Sequence, residues 1–175
     1  MNNNILKILI NEDEIKEKVK ELGKAITEDY KDKDLMIIGI LKGCVIFLSD
    51  LVREIDLPLT MDFMVVSSYG SSTKSSGVVR IIKDLEKDIT GKDVLIVEDI
   101  VDTGLTLERF REVLAQMEPA EVKVATCLLK PDAFKNKFPI DYQCFSIPNE
   151  FVVGYGLDYD GLGRNSSDIY KILEA

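Results

Sequence analysis

The sequence contains no histidine at all. This absence excludes nucleophiles activated by histidine and metal sites built on imidazole, and it leaves carboxylates as the available general bases. The three cysteines, Cys44, Cys127 and Cys144, are odd in number, lie far apart and follow no zinc-binding spacing. Because each of them lies in an apolar run, we expect buried thiols rather than disulfides or metal ligands.

A basic block and a long apolar run are also missing. The chain carries a formal net charge of −9, which argues against a broad nucleic-acid-binding surface. No stretch approaches the length of a membrane span, and the apolar segment near the N-terminus is too short for a signal peptide. With 46% hydrophobic residues among 175, we expect one globular domain in the reducing cytoplasm, without membrane or nucleic-acid partners.

The most informative stretch begins with an apolar run, Val94–Val97, which is typical of a parallel strand buried on both faces. The run ends at two adjacent carboxylates, Glu98 and Asp99, and a loop of small polar residues follows at Asp102–Thr106. Apolar residues at helical spacing then predict a helix over 107–117. These parts make one βα unit, and ligands of open α/β sheets bind at this end of the strands.

Two interpretations fit this unit from spacing alone. A helix N-terminus offers unpaired N–H groups and the positive end of a dipole, so the loop can bind an anion such as a phosphate. Alternatively, Asp102, Thr103 and Thr106 only cap the helix, while Glu98 and Asp99 end the strand in solvent. Capping explains one acidic residue well, but not three.

A family motif matches the same unit. The sequence V-E-D-I-V-D-T-G of residues 97–104 resembles the 5-phosphoribosyl-1-pyrophosphate (PRPP) signature of the type I phosphoribosyltransferases, in the form of their hypoxanthine-guanine branch. The resemblance implies an α/β fold, with a central parallel sheet flanked by helices and a small hood. It also implies that Glu98 and Asp99 hold the ribose hydroxyls and Mg²⁺, and that Asp102 accepts a purine proton. The loop 103–106 would bind the 5′-phosphate, with Leu105 where a lysine can stand in relatives.

A second predicted strand, 35–40, is followed by Leu41–Lys42–Gly43. A lysine in a loop is by itself usually only solvated. The triplet, however, resembles the pyrophosphate-binding loop of the same family, in which the peptide bond before the lysine is often cis. The resemblance therefore assigns Lys42 and Gly43 to the pyrophosphate and implies a cis bond between Leu41 and Lys42.

A polar segment of low complexity, 67–77, separates two predicted strands at 59–66 and 78–82, so the flanks are expected to form a hairpin. Segments of this kind are either lids or idle surface loops. Beginning at Ser68 and Tyr69, this one resembles the mobile loop that closes over the reaction centre in the family. Closure would exclude water, which otherwise competes for an activated sugar.

The remaining matches lie in the C-terminal third of the chain. Lys130 follows a predicted strand, 122–128, and without the resemblance it would be an ordinary lysine before a proline. The resemblance assigns Lys130 to the exocyclic oxygen of a 6-oxopurine, to which an ammonium group can donate. Arg164 falls where the family has an arginine for pyrophosphate, although Gly161–Leu162–Gly163 precede it where relatives usually have bulkier residues.

The segment 151–159 resembles the purine-binding segment of the family. Phe151 would stack on the base, the backbone of Val152 would meet the edge of the base, and Asp158 would hold Mg²⁺ beside the pyrophosphate. An aromatic residue in an apolar run is normally part of a core, so these roles come from the resemblance alone.

The resemblance as a whole implies a purine-salvage enzyme. It would use Mg²⁺ to transfer the phosphoribosyl group of PRPP to hypoxanthine or guanine, giving IMP or GMP and pyrophosphate, as a homo-oligomer of two or four copies. One domain, 1–175, would have a hood made of the N-terminal strand and segments after about 130. The expected substrate-binding residues are Lys42, Gly43, Ser68, Tyr69, Glu98, Asp99, Asp102, Thr103, Gly104, Leu105, Thr106, Lys130, Phe151, Val152, Asp158 and Arg164. Asp102 is the expected catalytic base, and Glu98, Asp99 and Asp158 are the expected metal ligands.

Three alternatives remain at this point. A phospho-receiver domain also has a strand that ends in two acids, but those acids stand near the start of the domain, whereas a long strand-rich region precedes Val94 here. A non-catalytic PRPP sensor that regulates RNA would keep the signature, but it should have a basic face. A sister enzyme would use xanthine or uracil, and the Lys130 and Phe151–Val152 matches favour a 6-oxopurine without ranking hypoxanthine, guanine and xanthine.

Overall fold

The computed structural model describes residues 5–68, 79–83 and 85–173. Tyr69 and most of the predicted loop 67–77 lie outside these ranges. In chain order the described elements are β1 (Ile5–Ile10), α1 (Glu12–Asp29), β2 (Leu35–Leu41), α2 (Val45–Glu54), β3 (Thr60–Ser68), β4 (Val79–Lys83), β5 (Asp93–Val101), α3 (Leu105–Ala115), β6 (Glu121–Leu129), β7 (Tyr142–Ser146), β8 (Val152–Val153) and β9 (Ile169–Leu173).

The larger of two sheets has six strands in the order β4-β3-β2-β5-β6-β7. All neighbouring strands are parallel except β3 and β4, which form the antiparallel hairpin that the sequence predicts. The central strand β5 carries the predicted run Val94–Val97, in which every residue is 0% exposed. The expected central parallel sheet is therefore confirmed.

Strand β5 is longer than its apolar run. Beyond Val97 it continues to Val101, because Glu98, Ile100 and Val101 stay in register with Thr126, Leu128 and Leu129 of β6. Backbone hydrogen bonds to β6 thus keep this segment in the strand despite its polar side chains. As a result, the two carboxylates lie within the strand rather than after it.

Helices cover both faces of this sheet. Alternate residues of β5 point to opposite faces: Leu95 and Val97 join the core under α1 and α2, whereas Val94 and Ile96 join the core under α3. Helix α1 begins with a capping box, in which the Asn11 side chain accepts from the Glu14 N–H and the Glu14 side chain accepts from the Asn11 N–H. All three cysteines are buried and unpaired.

A second, antiparallel sheet has the order β1-β9-β8. It joins the N-terminal strand to residues after Lys130, the segments that the resemblance assigns to a hood. Strand β7 also follows Lys130 but extends the larger sheet, since it pairs in parallel with β6 from Ala125↔Tyr142 onward. Among the described residues, no helix is long and apolar enough to cross a membrane.

Candidate active site

The predicted site residues gather at one edge of the larger sheet. Strands β2, β5 and β6 are parallel neighbours, so their carboxyl ends lie side by side, where ligands of such sheets bind. Lys42 follows β2, Asp102 follows β5 and Lys130 follows β6. Ser68 is the last residue of β3, while Tyr69 lies outside the described part of the chain.

An acidic corner is formed by Glu98 and Asp99 at the end of β5. Glu98 Oε2 is buried without a hydrogen-bond partner among the described residues, and burial, followed by the charge of Asp99, holds the pKa of Glu98 well above its usual range. Burial likewise raises the pKa of Asp99 to about 6, although Asp99 Oδ1 accepts from the Ile100 N–H at 2.9 Å. Two adjacent carboxylates buried in this way are costly to ionise, because hydrogen bonds and nearby cations compensate for the lost hydration only in part.

The loop after β2 packs directly on this corner. The peptide bond between Leu41 and Lys42 is cis, as the resemblance implies. A Cβ at Gly43 would lie only 1.6 Å from Asp99 Oδ2, so a glycine is needed for the backbone to approach the carboxylate this closely. Lys42, the residue before Gly43, is exposed.

The loop between β5 and α3 forms a small cavity of about 90 Å³. Helix α3 begins at Leu105, and its N-cap is Gly104, which has φ 82° and no capping side chain. Thr103 Oγ1 reaches the Leu105 N–H only at 3.5 Å. The lining residues are Glu98, Ile100, Val101, Asp102, Thr103, Gly104, Thr106 and Leu107. The capping interpretation is therefore weak, and the open helix N-terminus suits an anion.

A second cleft, of about 320 Å³, lies beside the first. Its lining residues are Asp99, Ile100, Asp102, Lys130, Phe151, Val152, Leu157 and Asp158. Within it, Lys130 Nζ lies 3.3 Å from Asp102 Oδ2, with the lysine side chain 10% exposed and the aspartate side chain 51% exposed. This ion pair brings together the predicted base and the predicted purine-binding lysine.

Phe151 is not part of the core, unlike most aromatic residues in apolar runs. The residue is 54% exposed, and its ring packs edge-on against Tyr159, with 5.6 Å between the ring centroids. The next residue, Val152, is buried in β8. Phe151 therefore presents an open aromatic face at the wall of the larger cleft.

Asp158 and Arg164 form an ion pair that sequence reasoning missed. Arg164 Nη2 lies 2.5 Å from Asp158 Oδ1, and Arg164 Nη1 donates to the Gly156 carbonyl at 2.6 Å. Between Asp158 and Arg164 the chain makes a tight turn, in which Tyr159 and Leu162 exchange backbone hydrogen bonds. The glycines before Arg164 were the sequence signal for this turn, since Gly161 and Gly163 both adopt the positive φ that it requires.

The expected metal ligands are Glu98, Asp99 and Asp158. In the described residues no three acidic or sulfur-bearing side chains converge closely enough to form a metal cage. The unpartnered Glu98 Oε2 and the Asp99 carboxylate nevertheless fit Mg²⁺, which is usually held by one or two protein carboxylates together with substrate oxygens. Among the described residues, such an ion would therefore need the substrate to complete its coordination.

One further contact was not predicted from the sequence. Asn136, in the segment between β6 and β7, donates from Nδ2 to the Thr103 carbonyl at 3.1 Å. No motif marks this position, because the contact joins two segments 33 residues apart.

Comparisons with known proteins agree with this arrangement. Residues 7–160 match the family model described as "Phosphoribosyl transferase domain". The chain is 50% identical over 165 residues to a hypoxanthine-guanine phosphoribosyltransferase of Streptococcus pneumoniae, covering 94% of this chain and 92% of that protein. It is 52% identical over 171 residues to the protein of the same name from Mycobacterium avium, covering 94% and 84%.

Solved structures give the same result. A hypoxanthine phosphoribosyltransferase from Staphylococcus aureus superposes with a TM-score of 0.91 at 46% identity, covering 95% of this chain and 91% of that one. A hypoxanthine-guanine phosphoribosyltransferase from Bacillus anthracis, with a HEPES molecule in its active site, also has a TM-score of 0.91, at 40% identity and with 95% and 98% coverage.

Proposed function

This chain belongs to the phosphoribosyl transferase domain family and, within it, to the hypoxanthine-guanine phosphoribosyltransferases, and we propose that the cleft described above carries out their reaction. The phosphoribosyl group of PRPP is transferred to hypoxanthine or guanine, giving IMP or GMP and pyrophosphate. The reaction is a step of purine salvage.

One observation carries the assignment of roles: Asp102 lines both the small cavity and the larger cleft. The small cavity has the open N-terminus of α3 and suits a phosphate. The larger cleft has an exposed aromatic ring, Phe151, and an ammonium group, Lys130, which suit a purine with a carbonyl oxygen. A ligand with a phosphate at one end and a base at the other would thus pass Asp102 at its middle.

At the phosphate end, the loop 103–106 binds the 5′-phosphate far from the bond that breaks. Binding energy spent there orients the sugar rather than activating it. Thr103 and Thr106 offer hydroxyl groups, and the first turn of α3 offers N–H groups. Gly104 allows the tight turn at φ 82°. Leu105, which is 44% exposed, contributes only its backbone to phosphate binding.

At the base end, Lys130 donates to the exocyclic oxygen of the purine while remaining near Asp102. An ammonium group has three donors, so one lysine can serve both partners. Asp102 accepts the proton that leaves the purine ring as the new bond forms, because the chain offers no histidine for this role. Phe151 stacks on the base, and the Val152 backbone meets its edge.

At the pyrophosphate end, negative charge develops on the leaving group as its bond to the sugar breaks. Lys42, the backbone at Gly43 and Arg164 are placed to stabilise that charge. Glu98 and Asp99 hold the ribose hydroxyls, and together with Asp158 they would hold Mg²⁺. The ion, when bound, supplies a Lewis acid for the pyrophosphate oxygens.

Beyond the reaction, we propose a cytoplasmic homo-oligomer of two or four copies. Three unpaired, buried thiols suit a reducing compartment. Exposed apolar side chains at the start of α2 and on β3, Val45 (42%), Ile46 (36%) and Met61 (41%), are available for a subunit contact.

A panel of bases tests the proposed function. The protein is incubated with PRPP, Mg²⁺ and either hypoxanthine, guanine, xanthine or uracil, and nucleotide formation is followed. We expect product from hypoxanthine or guanine, and none when Mg²⁺ is chelated. Asp102→Asn should lower turnover by about 100-fold or more, the usual contribution of a general base, and should leave PRPP affinity within about threefold.

Asp132→Asn, an exposed aspartate after Lys130, is the matched control and should retain full turnover. Product from xanthine alone would support the sister enzyme. Tight PRPP binding without product from any base would support the sensor instead. Unchanged turnover in Asp102→Asn would remove Asp102 from the role of base.

A further inference from the structure

We infer that Asn136 is a positioning residue for the 5′-phosphate, acting through the peptide unit between Thr103 and Gly104. The inference rests on the proposed role of the loop 103–106 as the phosphate site. Asn136 Nδ2 donates to the Thr103 carbonyl at 3.1 Å. The contact fixes the orientation of one peptide plane in the loop.

The orientation of that plane decides where the Gly104 N–H points. Among the described residues only the Leu41–Lys42 bond is cis, so the Thr103–Gly104 peptide is trans and planar. In such a unit the carbonyl and the N–H point in opposite directions. With the Thr103 carbonyl held by Asn136, the Gly104 N–H is directed to the other side of the loop.

The small cavity lies on that other side. Thr103, Gly104 and Thr106 line the cavity, whereas Asn136 does not. Asn136 therefore acts from behind the loop and does not touch the ligand. If the peptide rotated, the carbonyl oxygen would turn toward the phosphate, and a donor would be replaced by a repelling acceptor.

Close packing shows that this contact is built into the fold. A Cβ at Gly104 would lie 2.4 Å from Asn136 Nδ2 and 2.6 Å from the Phe134 ring. Phe134 also packs against the core under α3, and its N–H donates to the Lys130 carbonyl at 3.0 Å. The segment that carries the purine-binding lysine thus also supports the phosphate loop from behind.

Ligands that carry only one part of PRPP separate positioning from general stabilisation. Ribose 5-phosphate reports on the phosphate loop, and inorganic pyrophosphate reports on the site around Lys42 and Arg164. We would measure both dissociation constants by calorimetry for the wild type, Asn136→Ala and Asn136→Asp. The aspartate has the shape of asparagine but cannot donate to a carbonyl.

We expect both variants to bind ribose 5-phosphate more weakly, by about threefold to tenfold for the alanine, the usual effect of one hydrogen bond. The aspartate should lose more, because its charge also opposes the phosphate. Pyrophosphate affinity should stay within about twofold, and the KM for PRPP should rise while kcat changes little. Gln143→Ala is the control, since Gln143 is an exposed residue of β7 whose side-chain amide donates to Ser146 Oγ.

Two results from the variants would overturn the inference. One is unchanged ribose 5-phosphate affinity in both variants. The other is an equal loss for ribose 5-phosphate and pyrophosphate, which would mean that the contact only stabilises the protein. If the wild type bound pyrophosphate but not ribose 5-phosphate, the proposed role of the loop would fail, and this inference with it.

Discussion

The acidic corner should cost the ligand-free protein stability, and Asp99→Asn should recover it. Burial raises the pKa of Asp99 from its ordinary 3.8 to about 6. At about 1.4 kcal/mol for each pK unit, that rise corresponds to about 3 kcal/mol of destabilisation when the carboxyl group is charged. Asparagine has the same shape, and its oxygen can still accept from the Ile100 N–H.

The pH dependence has a definite sign. Between pH 3.8 and about 6 the folded state holds a proton that the unfolded chain has released, so the free energy of unfolding falls as the pH rises through this window. The destabilisation by Asp99 is absent below this pH window and complete above it. Removing the Asp99 charge also relieves Glu98, whose raised pKa has Asp99 as its second cause after burial, and this effect has the same sign.

The assay is urea denaturation of the ligand-free protein with a chelator, at several pH values from 4 to 8. We expect the variant to equal the wild type near pH 4 and to exceed it by about 3 kcal/mol or more at pH 8. Using the difference between the two proteins cancels the titration of their shared acids. Asp132→Asn should show no such difference. A stability gap for Asp99→Asn that does not change with pH would refute the reasoning.

Two further predictions follow from other parts of the structure. Arg164→Gln should raise the dissociation constant of pyrophosphate by about tenfold to 100-fold, because charge-assisted hydrogen bonds are lost. Ribose 5-phosphate should bind as before. An equal loss of affinity for both ligands would contradict the assignment of Arg164 to the pyrophosphate. Phe110→Ala should lower the free energy of unfolding by about 3–5 kcal/mol, since Phe110 is 1% exposed in the core under α3. The control Glu112→Ala, on the exposed face of α3, should lower it by under about 1 kcal/mol. Equal losses in the two variants would disprove the packing role of Phe110.

Periodicity in the sequence predicted most of the fold. Helix α3, the parallel strands and the β3–β4 hairpin all follow from local patterns. Element ends were less predictable. Strand β5 runs four residues past its apolar core because β6 supplies hydrogen-bond partners, and α3 begins at Leu105 rather than Leu107 because Gly104 makes the turn. These bounds depend on neighbours that a local pattern does not contain.

The candidate site was predictable where one motif holds several of its residues, as in the loop after β5. It was not predictable where two of its residues are joined by a contact between distant segments. Asp102 and Lys130 lie 28 residues apart, and their pairing requires β5 and β6 to be adjacent. The support of Thr103 by Asn136 requires, in addition, the path of the segment after Lys130. Such contacts need the three-dimensional structure.

The pairing of charges explains how an acidic protein can bind an anionic substrate. Lys130 is paired with Asp102, and Arg164 with Asp158, while Lys42 has no ion-pair partner among the described residues. Each paired cation offsets the charge of a carboxylate to which we have assigned a role in the reaction. Under the proposed roles, a purine carbonyl would bind to Lys130 and a pyrophosphate to Arg164 through donors that the two carboxylates leave free, since an ammonium group has three N–H donors and a guanidinium group has five. We therefore expect each carboxylate to keep its cationic partner while the substrates bind.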